Sequence, residues 1–209
     1  MLGIMPRVTS PPRVRLATPD DAGAIASIYA YYVANTPISF EVAPPSKDEV
    51  RGRIERTLQR FPYLVCETEG RVVGYAYASR HHERAAYDWS CEVSVYVENG
   101  MHRRGIGRAL YAALLALLRR LGYFTVLAGI TVPNDGSVGL HTAMGFRQAG
   151  LNRNVGYKDG RWWDVAYVEM PLQEAYPEVV EPPLSIRDLE ASEIEAIISR
   201  AVNGNERPR

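Results

Sequence analysis

The sequence has little cysteine, no net charge and no long apolar run, and each shortage excludes a class of protein. Cys66 and Cys91, the two cysteines among 209 residues, form no disulfide framework and no metal-ligand spacing. The 24 basic residues balance the 24 acidic ones, which argues against a nucleic-acid binder because that function requires a basic face. No apolar run approaches the roughly 18–20 residues that span a bilayer. The opening residues lack the apolar stretch of a secretory signal, so we expect a cytoplasmic protein with no membrane partner.

The remaining composition is that of a globular domain followed by a tail. Hydrophobic residues make up 46% of the chain and charged residues 23%, which is typical of a domain with an ordinary core. We expect a disordered lead-in over residues 1–12, one domain over residues 13–175, and a Pro-rich linker with a short helix over residues 176–209. The tail is consistent either with disorder or with docking on a partner.

Local patterns predict helices and strands in mixed order, and therefore a mixed α/β fold. Ser46 and Glu49 form a capping box at the start of a helix that runs to about Arg60. The strongest helix runs from Gly105 to Leu121, because its leucines form one apolar stripe. Further predicted elements are an edge strand over 13–17, a helix from Thr18, a hairpin over 63–78, an alternating strand over 92–97, a strand over 125–130, a helix from Asn134 or Asp135 to about Met144, two strands around Gly160, and a helix over 192–202.

The sharpest local motif lies between the alternating strand and the strongest helix, and it reads Arg103-Arg104-Gly105-Ile106-Gly107-Arg108. Two glycines at this junction allow backbone N–H groups to approach a ligand. The start of the following helix carries a partial positive charge, so the junction favours an anion such as a pyrophosphate. Leu110 replaces the third glycine of a dinucleotide fingerprint, and no Gly-Lys-Ser/Thr follows as in a P-loop. A tight loop with solvated arginines is the alternative.

The motif and its surroundings resemble a known family. Gly105-x-Gly107 after an alternating strand, followed by the segment Asn134 to Phe146, resembles the GNAT superfamily of acetyl-CoA-dependent N-acetyltransferases. The usual loop of that family begins with Gln or Arg, where this chain has His102. Residues 87–92, 133–138, 141, 145–146 and 156–165 are similar to the phosphinothricin N-acetyltransferases. This resemblance covers about Val14 to Leu172, and it implies a mixed central sheet flanked by helices and splayed at the acetyl-CoA site, in a homodimer.

The resemblance implies where acetyl-CoA, the cosubstrate, binds. The pantetheine arm is expected along the alternating strand and the pyrophosphate at the glycine junction. Asn134 is expected to contact the pantetheine, although a helix cap is an equal alternative for this residue. The implied cofactor-binding residues are Val95, Tyr96, Val97, Arg103, Arg104, Gly105, Ile106, Gly107, Arg108 and Asn134, and no metal is expected.

The resemblance also implies two catalytic residues. Glu92 is expected to be the general base that removes a proton from the acceptor amine, and an ion pair with a nearby arginine is the alternative. His141 is expected to hydrogen-bond or protonate the departing thiolate, and a structural role in its helix is the alternative. Cys91 is expected to be a buried small residue, since the chemistry requires no covalent intermediate.

Phe40, Arg84 and Tyr87 are the substrate-binding residues that the resemblance implies. Cationic and hydrogen-bonding groups suit an acceptor with a carboxylate and a phosphinate. His81 and His82 are adjacent on a loop, and we interpret them as solvated residues because no third metal ligand has suitable spacing. Trp162, Trp163 and Asp164 are compatible with a core, a dimer interface or a substrate lid.

The resemblance therefore implies an N-acetyltransferase that acetylates a small amino acid such as phosphinothricin or methionine sulfoximine. Attack of the amine on the thioester is direct and assisted by a general base. A different acceptor (an aminoglycoside, a polyamine or a protein N-terminus) is the first alternative, and an acyl-CoA-binding sensor without turnover is the second. Retention of both Glu92 and His141 argues against the sensor.

Overall fold

The structure is a computed structural model, and it describes residues 12–204. Almost all of the expected lead-in, residues 1–11, lies outside the described residues. The strands are β1 Arg13–Leu16, β2 Tyr63–Thr68, β3 Arg71–Arg80, β4 Ser90–Val97, β5 Thr125–Val132, β6 Arg147–Lys158 and β7 Arg161–Pro171. The α-helices are α1 Ala22–Asn35, α2 Lys47–Thr57, α3 Ile106–Arg120, α4 Asp135–Ala143 and α5 Ala191–Asn203.

The strands form one seven-stranded sheet in the order β1-β2-β3-β4-β5-β7-β6. Neighbouring strands are antiparallel except β4 and β5, which are parallel. Helices α3 and α5 cover one face of this sheet, and α1 and α2 cover the other. The predicted mixed sheet flanked by helices is confirmed. Among residues 12–204, no helix is long and apolar enough to cross a membrane.

Alternating side chains along the strands supply two separate cores, one on each face. In β2, Leu64 and Cys66 belong to the core under α3, whereas Tyr63 and Val65 belong to the core under α1 and α2. This division follows from the two-residue period of a strand. Cys91 is buried, as predicted, and so is Cys66, where burial raises the pKa of the thiol to about 12. The pKa of the Cys91 thiol is raised for the same reason.

The sheet opens between β4 and β5, and this opening creates the site described below. Their ladder begins at Ser90 and Thr125 and ends at Glu92 and Leu127. Strand β4 continues to Val97 and β5 to Val132, so both strands extend beyond the last pair. The sheet is therefore splayed from Val93 onward, as the resemblance implied.

The helix starts follow local capping chemistry. The predicted capping box is present at α2, where the Ser46 side chain accepts a hydrogen bond from the Glu49 N–H. Helix α3 begins after Gly105, whose φ of 79° is in the left-handed region that glycine adopts without a steric penalty. Helix α4 begins after Asn134, whose Oδ1 accepts a hydrogen bond of 3.1 Å from the Ser137 N–H. Each of these helices begins at or next to the residue predicted from sequence.

The C-terminal segment returns to the body of the protein. Helix α5 packs against α3, and Ile194 and Ile198 lie in the core that contains the α3 leucines. The connection before it is anchored by the Leu184 N–H, which donates to the Leu121 carbonyl, and by the Ile186 N–H, which donates to the Arg60 carbonyl. The predicted amphipathic helix is thus part of the same packed unit as residues 13–175.

Candidate active site

A cavity of about 570 Å³ lies where β4 and β5 separate. Its walls come from the end of β4, the glycine junction with the start of α3, the start of α4, and the end of α1 with the residues that follow it. Nine of the ten predicted cofactor-binding residues line it: Val95, Tyr96, Val97, Arg103, Gly105, Ile106, Gly107, Arg108 and Asn134. Arg104 is the candidate that is not part of this lining.

The glycine junction has the backbone geometry of an anion site. Arg103 and Gly105 both have positive φ angles, 60° and 79°, and alternation of this kind turns successive N–H groups toward one side. The first N–H groups of α3 have no acceptor within the helix, and they add the positive end of the helix dipole. Gly107 lets α4 approach, because a Cβ there would lie 3.0 Å from Leu140 Cδ2. The junction therefore provides backbone donors for a phosphate, and two arginines, Arg103 and Arg108, are among the lining residues.

Tyr32 and His102 join the cavity wall, although the sequence analysis gave neither a role in it. The Tyr32 hydroxyl donates to the Val97 carbonyl and lies 2.8 Å from His102 Nε2. Burial raises the pKa of Tyr32 to about 12, so its hydroxyl stays protonated at neutral pH and can donate this bond. The sequence does not identify Tyr32 as a cavity residue, because its helical spacing predicts only a core position. The contact ties α1 to the end of β4.

Glu92 lies at the apex of the opening, in the last pair of the β4–β5 ladder. Strand alternation places Val93 in the α3 core and Tyr96 on the α1 and α2 side, as predicted. The Glu92 side chain is 45% exposed, and its Oε1 lies 2.9 Å from His81 Nδ1. Its partner is therefore a histidine rather than the arginine of the alternative interpretation.

An aromatic cluster surrounds the His81 contact on the acceptor side. The His81 ring lies 4.4 Å from the His82 ring and 5.7 Å from the Tyr87 ring, measured between centroids. Tyr87 is exposed and so is Arg84, which begins the 3-10 turn Ala85–Tyr87. The structure thus brings Tyr87 to the surroundings of Glu92, and it leaves Arg84 at the surface. No group of three potential metal ligands is present among residues 12–204.

Two ion pairs hold the base of the loop between β3 and β4, residues 81–89, which is called the acceptor loop because the resemblance implies that it lies near the acceptor. Asp88 follows the 3-10 turn, and its Oδ1 lies 3.4 Å from Arg60 Nη2 and 3.7 Å from Arg80 Nη2. Arg60 precedes β2 and Arg80 ends β3, so the ion pairs connect the loop to two parts of the sheet. This arrangement positions the turn that carries Tyr87.

Phe40 is not part of the cavity lining, and it lies in the segment after α1, which is anchored by a lysine that was not predicted from the sequence. A Cβ at Gly156 would lie 2.1 Å from Phe40 Cε2, so the ring rests directly on the β6 backbone. Lys158, 6% exposed, donates from Nζ to the carbonyls of Val33 at 2.7 Å, Thr36 at 2.9 Å and Ser39 at 2.7 Å. These carbonyls lie at and after the C-terminus of α1, where a cation is favoured by the helix dipole. Lys158 thereby fixes the segment that carries Phe40.

His141 is packed away from the cavity. It is 3% exposed, its Nδ1 lies 2.8 Å from the Ser137 carbonyl oxygen, and its Nε2 lies 2.9 Å from Tyr111 Oη. Burial lowers the pKa of His141, although the Ser137 carbonyl opposes this shift. The neutral ring donates from Nδ1 and accepts at Nε2, so both nitrogens are occupied. This geometry favours the structural alternative, and the role toward the departing thiolate stays a prediction.

The aromatic residues of the last hairpin are divided between two environments. Trp162 is 60% exposed and its ring lies 5.3 Å from that of Tyr157, so a core position for Trp162 is wrong. Trp163 is partly buried, and the Arg161 guanidinium lies 3.4 Å over its ring. The interface and lid alternatives stay open for Trp162.

Comparison with known proteins places these features in a family context. A family model described as an acetyltransferase (GNAT) domain matches residues 14–167. The chain is 38% identical over 177 residues to a phosphinothricin N-acetyltransferase of Streptomyces viridochromogenes, covering 84% of this chain and 97% of that one. It is 33% identical over 162 residues to an L-methionine sulfoximine/L-methionine sulfone acetyltransferase of Salmonella typhimurium, covering 77% and 95%.

A solved structure has a similar fold. It is a GNAT superfamily phosphinothricin acetyltransferase from Sinorhizobium meliloti in complex with acetyl-CoA, with a TM-score of 0.77 and 35% identity. The match covers 83% of this chain and 94% of that chain.

Proposed function

The chain belongs to the GNAT acetyltransferase family as an acetyl-CoA-dependent N-acetyltransferase, and we propose that its acceptor is the α-amino group of a small amino acid such as phosphinothricin or methionine sulfoximine. One observation carries the proposal: the β4–β5 ladder ends at Glu92, three residues before Val95, the first β4 residue that lines the cavity. A carboxylate at that point faces both the acceptor loop and the reacting end of a molecule lying along β4.

The residues of the cavity fit acetyl-CoA. The junction Arg103–Arg108 offers backbone donors for a pyrophosphate, and the β4 edge beyond Glu92 offers backbone groups that β5 does not pair. Asn134 lines the cavity while it also caps α4, so the two roles weighed from sequence are compatible. Bound acetyl-CoA supplies an activated acetyl group, and the protein supplies the position of that group next to the amine.

Glu92 acts on the acceptor as the proposed general base. An α-ammonium group must lose a proton before its nitrogen has a lone pair for attack on the thioester carbonyl. Carboxylates are ordinarily weaker bases than an α-amino group by several pKa units. Because Glu92 is partly exposed, a water molecule can lie between its carboxylate and the ammonium group. The proton then passes from the ammonium to Glu92 through this water.

Arg84, Tyr87 and Phe40 are the proposed contacts to the acceptor. An arginine pairs with a carboxylate or phosphinate through charge-assisted hydrogen bonds. Tyr87 is near Glu92 through the His81 contact, whereas Phe40 lies in the segment that Lys158 fixes. An acceptor bound between Tyr87 and Phe40 would present its amine to Glu92. The homodimer implied by the resemblance stays a prediction, and sedimentation equilibrium tests it.

The experiment is a measurement of free CoA released from acetyl-CoA with a panel of acceptors: phosphinothricin, methionine sulfoximine, ordinary amino acids, a polyamine and an aminoglycoside. We expect release with the first two, and a fall of at least about 100-fold in Glu92→Gln, the scale of general base catalysis. Glu98→Gln is the matched control, because Glu98 follows β4 but pairs with Arg71.

The other outcomes separate the alternatives. Release with the polyamine or the aminoglycoside alone would reject the proposed acceptor and retain the transferase. If no acceptor causes CoA release but acetyl-CoA binds measurably, the result would favour the acyl-CoA-binding sensor. Wild-type turnover in Glu92→Gln over the full pH range would reject Glu92 as the base.

A further inference from the structure

His81 occupies the position next to Glu92 because of the register between β3 and β4. Ser79 lies opposite Glu92 and Arg80 opposite Cys91, so His81 follows the last paired residue of β3. Residues 79 and 81 share one face of the strand, and a residue two positions along is a diagonal neighbour across the sheet. The 2.9 Å distance between His81 Nδ1 and Glu92 Oε1 is the result of this register.

The surroundings of His81 hold its ring and leave it a route to water. The rings of His82 and Tyr87 contact it edge-on, with interplanar angles of 70° and 79°. The His81 side chain is 20% exposed, less than the 45% of Glu92. Its Nδ1 is used for the carboxylate, and a proton taken up by the ring can pass to solvent through this exposed part.

The charges near His81 come from three elements. Glu92 faces it from β4, and His82 and Tyr87 face it from the acceptor loop. Arg80, the preceding residue, pairs with Asp88 and with Glu83 at 3.6 Å. The acidic group in direct contact with the imidazole is therefore Glu92.

The proposed reaction requires an exit for one proton. The ammonium loses two protons as the C–N bond forms and the C–S bond breaks, and one of these neutralises the leaving thiolate. The other is the proton that Glu92 accepts, and it must leave before the next turnover. An imidazole exchanges protons rapidly near neutral pH, which suits it to this transfer.

We infer that His81 relays this proton from Glu92 to solvent. Because it acts through Glu92, we class it as a positioning residue and not as a catalytic one. The inference rests on the proposed function, and it assigns a role to a residue that the sequence analysis treated as solvated. His81 acts through Glu92 and does not itself contact the reacting atoms.

The test uses the full chain with three substitutions at position 81. His81→Phe keeps a flat ring without nitrogens. His81→Asn keeps an N–H donor close to the place of Nδ1 but neither gains nor loses a proton near neutral pH. His81→Ala leaves space for added imidazole. We expect kcat to fall about 10-fold to 100-fold in all three, with the affinity for acetyl-CoA unchanged. Imidazole in the buffer should raise turnover in His81→Ala and leave Glu92→Gln unchanged. His82→Phe is the matched control, and its kcat should not respond to imidazole.

Two results would overturn the inference by themselves, and a third would overturn it together with the proposed function. Wild-type kcat in His81→Asn over the full pH range would show that a hydrogen bond to Glu92 is sufficient. Nitrogen-15 signals of the His81 imidazole that do not change between the wild type and Glu92→Gln would show that the contact is absent in solution, whether or not any acceptor is turned over. Suppose instead that the wild type acetylates no acceptor, while the His81 signals do differ between the wild type and Glu92→Gln. That result would reject the proposed function and the relay that depends on it.

Discussion

The cofactor side and the acceptor side of Glu92 are formed by different parts of the protein, the first by backbone and the second by side chains. On the cofactor side, the cavity is shaped by backbone: the β4 edge, the left-handed turns at Arg103 and Gly105, and the start of α3. On the acceptor side, the surroundings of Glu92 are formed by side chains from the end of β3 and the loop after it, including His81. A backbone site depends on a short continuous motif, whereas a side-chain site depends on which segments the fold brings together. The first kind can be identified from sequence more readily than the second.

Glu92 belongs to both sides because of its place in the sheet. It is in the last residue pair of the parallel ladder, so its backbone belongs to the paired region and the strand beyond it is open. Its side chain projects to the face covered by α1 and α2, away from the leucines of α3. Substitutions on one side should therefore leave the function of the other side largely intact.

Lys158→Met should have the largest effect, and most of it should fall on the acceptor side, although Thr36 also lines the cavity. Three carbonyls, two of them in buried contacts, would lose their donor, which lowers the free energy of unfolding by about 2–4 kcal/mol. The KM for the acceptor should rise about tenfold, which is about 1.4 kcal/mol, because the segment of Phe40 is released. Denaturant unfolding and steady-state kinetics measure the two effects.

The control for this variant is the other lysine of the chain. Lys47 is exposed at the start of α2, and Lys47→Met should change the free energy of unfolding by less than about 0.5 kcal/mol. A weaker affinity for acetyl-CoA in Lys158→Met, as large as the change in acceptor KM, would show that the two sides are not separable.

Gly105→Ala should have the next largest effect, confined to the cofactor side. The added Cβ meets no atom within 4 Å, but the φ of 79° is unfavourable for alanine and displaces the N–H groups of the junction. We expect the dissociation constant for acetyl-CoA to rise about tenfold, or about 1.4 kcal/mol. Isothermal titration calorimetry measures it.

Gly100→Ala is the matched control because Gly100 has a φ of 87° and equally open surroundings. Both substitutions should destabilise the fold by about 1 kcal/mol, but Gly100 does not line the cavity. Equal losses of acetyl-CoA affinity in the two variants would mean that strain, and not the backbone site, determines binding.

His141→Gln should have the smallest effect, on the pH dependence of stability. Burial lowers the pKa of His141 in the folded chain, so the unfolded chain binds this proton more readily. The wild type should therefore lose stability as the pH falls below about 6.5, by up to about 1.4 kcal/mol per pH unit. The variant should show a shallower loss between pH 7.5 and pH 5.5, measured by thermal unfolding.

The exposed His102 provides the control for this slope, and His102→Gln should retain it. The same His141 variant also tests the leaving-group prediction. If kcat of His141→Gln at pH 8 equals that of the wild type, the role toward the thiolate is rejected and the structural role accounts for the residue.

Local physical rules account for what could be predicted. Alternation indicated the two faces of β4, a capping box marked the start of α2, and the glycine spacing indicated the turn before α3. The partners of single side chains were not predictable. Lys158 contacts Val33, 125 positions away, and His81 reaches Glu92 only because β3 and β4 are paired in one particular register.

The sequence by itself determined the helices and strands named above and the glycine junction before α3, because each depends on residues close together in the chain. Its motifs together identified the family and the mixed sheet. Tertiary structure decided the end of the β4–β5 ladder at Glu92, the packing of α5 on α3, the burial of His141 and the partner of Glu92. These depend on strand register and on the packing of distant segments, which local preferences do not specify.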